Sequence, residues 1–278
     1  MVLDVARGPG NWKFSVADVL VVYLWAVIHD RPMSWAVDKD NWPPELCPAC
    51  LPSQSTLSRR MRRSDIVELM TEVERQWSAT THPSLNIVKT LHAKPLAVSG
   101  VTKDRDATYG RGAGGMQKGY KFFTVWPNGP LPIAWALAGM NKSEKTIARD
   151  LIPGLPGGGY LLGDAEYDSN PLHDLAHEHN HQLLTPKRRK KGGLGHHRHS
   201  PYRLRSIELM QQPFGKSLFK FRRQIERNFG NLTSFGGGLI CLPAWVRRFH
   251  RVRNWVHAKL LINAARWIRN KHPTLAVA

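Results

Sequence analysis

The sequence predicts an α/β fold in which a mixed sheet is flanked by helices and preceded by an N-terminal helical domain. Apolar residues recur at helical spacing over the first 80 residues. From about residue 86 to 190, short apolar runs alternate with Gly- and Pro-containing turns, a pattern typical of strands. Helical spacing then returns. We therefore predict two domains, a helical one at residues 1–82 and a sheet-containing one with basic C-terminal helices at residues 83–278.

The first domain is expected to contain at least two helices. Val16 to Ile28 has helical apolar spacing, and Ser15 is placed to cap its first turn. After a Pro-rich break, residues 52–63 open another helix with Arg59 near its N-terminal end. This helix has two interpretations that stay open. It is the recognition helix of a helix-turn-helix, in which Arg59 would bind DNA, or a capped surface helix with solvated arginines.

The second domain is expected to begin with three antiparallel strands, followed by alternating helices and strands. The predicted elements are strands at 87–98, 120–126 and 131–138, a helix from Glu144 to Leu155 capped by Ser143, a strand at 159–164, a helix at 170–179 and a strand at 182–186. Sites in such sheets lie at strand ends, so Asp164, which ends a strand, is a candidate site residue. Glu166 and Asp168 beside it are interpreted as carboxylates at a helix start.

Positive charge is confined to the last third of the chain. The formal net charge is +19, and residues 187–272 carry 21 Lys and Arg against only Glu208 and Glu226. Such a region predicts binding to the nucleic-acid backbone. Residues 187–199 are predicted to form a basic loop that contacts phosphate. A carboxylate inside this surface would repel phosphate unless a divalent cation lay between them, so Glu226 is a candidate metal ligand.

The C-terminal part is expected to be helical, over residues 206–232 and 244–270, and the apolar side chains of the second helix are assigned to the core.

The sequence disfavours several classes of protein. The longest apolar stretch is shorter than the about 18 residues of a membrane span, and the N-terminus does not look like a secretory signal. Cys47 and Cys50 have the spacing of half a zinc site, but no second ligand pair follows at a conventional interval. We expect a cytoplasmic protein with no membrane partner.

Several short blocks of sequence point to a known family. They are Lys94-Pro-Leu96, Lys103-Asp-Arg-Asp-Ala107, Lys118-Gly-Tyr-Lys121, Leu161-Leu-Gly-Asp-Ala-Glu-Tyr-Asp-Ser-Asn170 and Arg222-Arg-Gln-Ile-Glu-Arg-Asn-Phe-Gly-Asn-Leu232. In combination they resemble bacterial insertion-sequence transposases with a ribonuclease H-like DDE domain, over about residues 85–270. The resemblance implies a ribonuclease H-like mixed sheet and a site built from three carboxylates that bind divalent metal, Mg²⁺ or Mn²⁺.

By this resemblance, Asp164 is the second catalytic carboxylate and Glu226 the third, and both are metal ligands. His92 occupies the position of the first aspartate. A neutral imidazole is a poor ligand for Mg²⁺ and an acceptable one for Mn²⁺, so we expect weak activity or none. Asp104 or Asp106 is the alternative source of the missing ligand, and each is otherwise a turn residue on a solvated loop.

The leading hypothesis is a transposase that binds the double-stranded DNA ends of its element and cuts and joins them to target DNA. The second is an inactive, decayed or co-opted transposase that still binds DNA, and the third is a basic RNA-binding protein. Because two DNA ends must be joined, we expect a homodimer on DNA, associated with the bacterial nucleoid. The residues expected to bind nucleic acid are Arg59, Lys187, Arg188, Arg189, Arg222, Arg223 and Arg227.

Overall fold

The protein is described by a computed structural model that covers residues 13–82, 86–98, 102–112, 114–188, 193–194, 198–234, 238–239 and 242–271. The chain folds as two compact units, Met1–Thr81 with Asn231–Ala278, and His82–Gly230. The first boundary lies close to the predicted one at residue 82. The C-terminal residues, which the sequence placed in the second domain, belong instead to the first unit.

The first unit is helical. Its helices are α1 (Val16–Ile28), α2 (Met33–Ala36), α3 (Gln54–Arg60), α4 (Ser64–Thr81) and α10 (Phe249–Lys271). The predicted Ser15 cap is confirmed: its hydroxyl accepts from the Asp18 amide at 3.0 Å, and its own amide donates to the Asp18 carboxylate at 2.8 Å. This reciprocal pair fixes the start of α1.

Helix α10 explains why the C-terminal residues join the first unit. It packs against α1 and α4. Val252, Val256 and Leu260 are buried, as predicted, whereas Phe249, which was also assigned to the core, is 39% exposed. Polar contacts hold it in place as well, because Asn254 donates to the carbonyl of Met61 at 2.7 Å. The helix begins at Phe249, five residues later than predicted.

Helix α3 changes the position assigned to Arg59. The helix ends at Arg60, so Arg59 lies in its last turn and not near its N-terminal end. Ser53 caps the helix by accepting from the Thr56 amide at 3.3 Å. Arg59 is exposed, and its role in DNA binding stays a prediction.

The second unit contains the predicted mixed sheet flanked by helices. Its strands are β1 (Val88–Ala97), β2 (Thr108–Gly112), β3 (Gly115–Trp126), β4 (Ala134–Gly139), β5 (Gly159–Leu162) and β6 (His181–Leu184). Its helices are α5 (Glu144–Leu151), α6 (Asn170–Glu178), α7 (Pro201–Gln211), α8 (Pro213–Phe219) and α9 (Arg223–Thr233). The residues of α9 up to Gly230 belong to this unit. The strand order is β2-β3-β1-β5-β6, and β4 pairs with β3. The pairs of β3 with β1, β2 and β4 are antiparallel, while β5 is parallel to β1 and β6.

The two faces of this sheet are covered by different helices. On one face, Leu91 and Val125 pack into a cluster with side chains of α5 and α6. On the other face, Phe229 of α9 packs edge-on against Phe122 and Trp126. The second face is the one that carries His92, because successive residues of a strand point to opposite sides.

Candidate active site

His92 and Asp164 are brought together by the parallel pairing of β1 with β5. Thr90 is opposite Leu162 in that pair, so His92 and Asp164 each follow a paired position by two residues. The parallel register places the two residues at the same level along the neighbouring chain segments. Asp164 lies two residues after Leu162, the last residue of β5, and its carboxylate accepts from the Glu166 amide at 2.9 Å.

Glu226 approaches from the helix that covers this face. It lies in the first turn of α9, and Phe229 of the same helix has its ring 5.1 Å from the His92 ring, edge-on. The charges of Asp164 and Glu226 both raise the pKa of His92. The structure therefore brings both carboxylates within electrostatic reach of His92.

The net effect of the surroundings on His92 is to keep it neutral. Burial lowers the pKa of His92 most, and the positive charge of Arg222 lowers it further, so the pKa falls to about 4 despite the two carboxylates. The His92 Nδ1 atom is buried and has no hydrogen-bond partner among the residues that the structure describes. A neutral imidazole with a free nitrogen can act as a metal ligand, but it adds no negative charge to the site.

Arg222 lies beside Asp164. Its Nη2 donates to Asp164 Oδ2 at 3.4 Å. Arg222 ends the short 3₁₀ turn Lys220–Arg222, which leads directly into α9. The contact balances the Asp164 charge, and it also puts a phosphate-binding group beside the carboxylate.

A comparison with known families agrees with this arrangement. Residues 80–262 match the family model of the transposase DDE domain. The chain belongs to this transposase family. No curated protein and no solved structure matches the chain. The mixed sheet flanked by helices, with helices N-terminal to it, is compatible with a ribonuclease H-like DDE domain. Within the part that the structure describes, no helix is long and apolar enough to span a membrane.

A third carboxyl group of this transposase site lies near Asp164 and was missed by the sequence interpretation. Glu144 is the first residue of α5, after the Ser143 cap that the sequence predicted. Burial raises the pKa of Glu144, the Asp164 charge raises it further, and a hydrogen bond with Tyr167 opposes both. Its Oε2 atom is buried without a hydrogen-bond partner among the described residues. The only sequence signal was Tyr167, three residues after Asp164 in the same block.

Asp168 is not a helix-start carboxylate as predicted, since it lies inside a buried polar cluster. Arg203 donates two hydrogen bonds to Asp168, from Nε to Oδ1 at 2.6 Å and from Nη2 to Oδ2 at 2.8 Å. The Arg188 amide also donates to Asp168 Oδ2, at 3.0 Å. Burial raises the pKa of Asp168, but the hydrogen bonds from Arg203, His173 and Arg188 outweigh burial and hold it well below its usual range. Glu166 stays at the surface, 3.6 Å from the Arg188 guanidinium.

The predicted phosphate-binding residues have different surroundings. Arg223 and Arg227 are exposed on α9, and Arg188 is exposed where the chain leaves β6. Lys187 is half-buried, and Arg189 lies outside the described residues. Because its amide is held by Asp168, Arg188 is anchored at the start of the predicted basic loop.

The side chain of Asp104 is engaged in its own loop. Asp104 is buried, accepts from the Tyr120 hydroxyl at 2.9 Å and from the Asp106 amide at 3.1 Å. These contacts are those of a turn residue, but Asp104 is buried and not solvated as that interpretation expected, whereas Asp106 is exposed.

The donor groups near His92 fit a divalent cation only in part. Asp164 and Glu226 offer the hard oxygen atoms that Mg²⁺ and Mn²⁺ accept. However, in the described ranges no three His, Cys, Asp or Glu side chains are arranged to hold a metal ion, at this site or around Cys47 and Cys50. His92 adds a neutral imidazole to this group and no oxygen donor.

Proposed function

We propose that this chain is a transposase that binds the DNA ends of its element and whose metal-dependent cleavage and strand transfer are weak. The observation that carries the proposal is the approach of His92, Asp164 and Glu226 on one face of the sheet of a DDE transposase domain. The surplus of Lys and Arg after residue 186 supports double-stranded DNA as the partner. The family generally uses divalent metal.

Each residue of the site has a distinct role in this proposal. A bound divalent ion would polarise the phosphate and activate the attacking oxygen, and Asp164 and Glu226 would hold it. His92 would offer a neutral nitrogen, which suits Mn²⁺ better than Mg²⁺. Arg222 would bind the phosphate beside Asp164, and the exposed Arg223 would hold the DNA backbone nearby.

The deciding experiment compares the natural chain with His92→Asp on duplex DNA carrying the element's ends. Restoring a carboxylate is expected to raise Mg²⁺-dependent cleavage by about 100-fold or more, because even outer-shell partners of metal ligands change activity about 10- to 100-fold. The natural chain is expected to cleave better in Mn²⁺ than in Mg²⁺. Cleavage is measured by single-turnover kinetics with both ions.

Two controls make this test selective. Glu226→Gln in the His92→Asp background should abolish the gained cleavage, while binding of the DNA ends is retained. If His92→Asp has no effect and Asp164→Asn leaves any residual cleavage unchanged, the proposed site is wrong. The DNA-binding part of the proposal is tested separately, by competition between end-bearing DNA, unrelated DNA and RNA at one fixed salt concentration.

A second function is favoured by the electrostatics of His92. Its pKa of about 4 makes it neutral at physiological pH, and Arg222 balances the charge of Asp164. A DNA-binding protein without cleavage activity would have these properties. This function predicts end-specific binding by the natural chain with no product in either Mg²⁺ or Mn²⁺, and product only after His92→Asp.

A homodimer on DNA is the assembly we propose, because joining two ends requires both to be held at once. The expected result is a complex of two chains with two end-bearing duplexes, measured by mass photometry. A complex of one chain with one duplex at saturating protein would contradict it.

A further inference from the structure

Strands β2 and β3 extend past the rest of the sheet as a two-stranded ribbon. β1 follows β3 only as far as the pair Ala97 and Gly119, and β4 ends opposite Tyr120. Beyond Gly119, β3 continues to Gly115 with β2 alone as its partner. The sequence interpretation did not include this ribbon, and none of the roles discussed so far uses it.

One face of the ribbon carries cationic, aromatic and thioether side chains. Tyr109 is opposite Lys118, and Arg111 is opposite Met116. Paired residues point to the same side of a sheet, so these four side chains share one face. Tyr109 is 61% exposed and Met116 is 72% exposed. Large apolar groups are thus held in solvent beside two positive charges.

The opposite face of the ribbon is built for close contact with the protein. A Cβ atom on Gly110 would lie 2.2 Å from the carbonyl oxygen of Met140, so only glycine allows this approach. Thr108, at the start of β2, accepts from the Asn141 amide at 3.3 Å. The base of the ribbon is therefore anchored on the segment that follows β4, and its other face is left to solvent.

The exposed face continues the face of the sheet that carries His92. His92 is opposite Thr124 of β3, and Lys118 lies six residues earlier on the same strand. An even separation keeps both on one face, and a rise of about 3.4 Å per residue puts them about 20 Å apart. That distance equals about six base pairs of duplex DNA.

The charges between these two points favour DNA. Lys103 and Arg105 are exposed on the loop that lies over Tyr120, and Lys118 donates to the carbonyl of Thr102 at 3.4 Å. Within the described part of the chain, neither Arg111 nor Lys118 forms an ion pair with a carboxylate. A second copy of the chain would bring like charges together at this edge, whereas a phosphate backbone would complement them.

We propose that the β2–β3 ribbon is a second DNA-binding surface, which holds the duplex about six base pairs from the phosphate at His92, Asp164 and Glu226. A two-stranded ribbon fits a DNA groove. Arg111 and Lys118 contact phosphates, and Tyr109 and Met116 pack against the groove wall. This inference rests on the proposed function, because it needs DNA at the site.

The first experiment measures the salt dependence of binding to end-bearing DNA. Each lost phosphate contact lowers the salt slope by about 1, so Arg111→Ala with Lys118→Ala is expected to lower it by about 2. Arg149→Ala is the matched control. Arg149 is an exposed cation on α5, the helix that covers the opposite face, and its loss should leave the slope unchanged.

The second experiment locates the contact by replacing Met116 with a photo-crosslinking phenylalanine analogue. Crosslinks are expected about six base pairs from the position that His92→Asp cleaves, and none from the same analogue at Arg149. Crosslinks between two chains in place of DNA, or an unchanged salt slope with DNA still bound, overturn the inference and leave the proposed function standing. If the natural chain does not prefer end-bearing DNA, the proposed function fails together with the inference.

Discussion

Two aspartates four residues apart, Asp164 and Asp168, have opposite surroundings. Asp168 is 5% exposed and is held by two nitrogens of Arg203 and by the Arg188 amide. Asp164 is partly exposed, accepts from the Glu166 amide at 2.9 Å and contacts one nitrogen of Arg222 at 3.4 Å. The Asp164 charge raises the pKa of His92, whose Nδ1 has no hydrogen-bond partner in the described part of the chain.

This difference separates a carboxylate that stabilises the fold from one that stays available to a ligand. A buried charge whose lone pairs are all used stabilises the fold and is closed to ligands. A partly solvated charge beside unpartnered polar atoms adds little stability and stays available to a cation or a phosphate. Both residues follow β5, so one strand end supplies both a carboxylate that stabilises the fold and one that is open to a ligand. We therefore expect substitutions at Asp168 to change stability and substitutions at Asp164 to change chemistry.

The largest expected effect is the loss of stability on Asp168→Asn. Removing one partner of a buried ion pair leaves the Arg203 charge uncompensated, which costs about 3 to 5 kcal/mol. Asp164→Asn is expected to change stability by less than about 1 kcal/mol, since its ion pair is solvated. Both values are measured by urea unfolding at neutral pH.

Ser143→Ala provides a calibration for this comparison, because it removes the hydroxyl that accepts from the Thr146 amide at 3.2 Å. A lost helix cap costs about 1 kcal/mol. If Asp168→Asn costs no more than Ser143→Ala, the contrast between the two aspartates is wrong.

The contrast could not be predicted from the sequence, and the reason is sequence separation. Asp164 was found because it ends an apolar strand and lies in a recognisable block, and both signals are local. Asp168 is paired with Arg203, 35 residues away in the sequence. Glu144, at the start of α5, is hydrogen-bonded to Tyr167, which lies after β5. No pattern within one segment encodes such a partner, so the sequence assigned Asp168 and Glu144 to helix starts.

The same reasoning applies to the fold. Helix α1 with its Ser15 cap, the strands β1, β3 and β5, and the mixed sheet were predicted because their spacing and caps are local properties. Strand β2 was missed because its Tyr-Gly-Arg-Gly sequence is typical of a loop, and only its pairing with β3 makes it a strand. Membership of α10 in the first unit depends on contacts with α1 and α4, which no local pattern specifies.

A smaller effect on the free energy of unfolding is expected from the protonation of His92 at low pH. The pKa of His92 is about 4 in the folded protein and about 6.5 in the unfolded chain. The unfolded chain therefore binds the proton more readily between these values, and stability falls as pH drops from about 6.5 to about 4. Above pH 6.5 this contribution is fully present. Its size is on the order of 3 kcal/mol.

His92→Asn isolates this contribution, because other groups with shifted pKa values, such as His82, His181 and Asp168, titrate in both proteins. The free energy of unfolding of each protein is measured at pH 7.5 and pH 4.5. The natural chain should lose more than the variant does. Equal losses would show that His92 is not held neutral by burial, and would weaken the electrostatic argument against metal binding.

The smallest expected effects on stability come from replacing the two arginines that contact the two aspartates. Arg203 uses two nitrogens of its planar guanidinium on Asp168, at 2.6 and 2.8 Å, and lysine can replace only one of them. Arg203→Lys is therefore expected to cost about 1 to 2 kcal/mol. Arg222 makes one long contact with Asp164, so Arg222→Lys should change stability by less than about 0.5 kcal/mol. Urea unfolding of both variants under one set of conditions gives the two values.

A loss of stability of similar size on Arg222→Lys would mean that the contact of Arg222 with Asp164 stabilises the fold as much as the Arg203 pair does. Asp164 would then be closed to a cation, and the natural chain would be left with DNA binding alone.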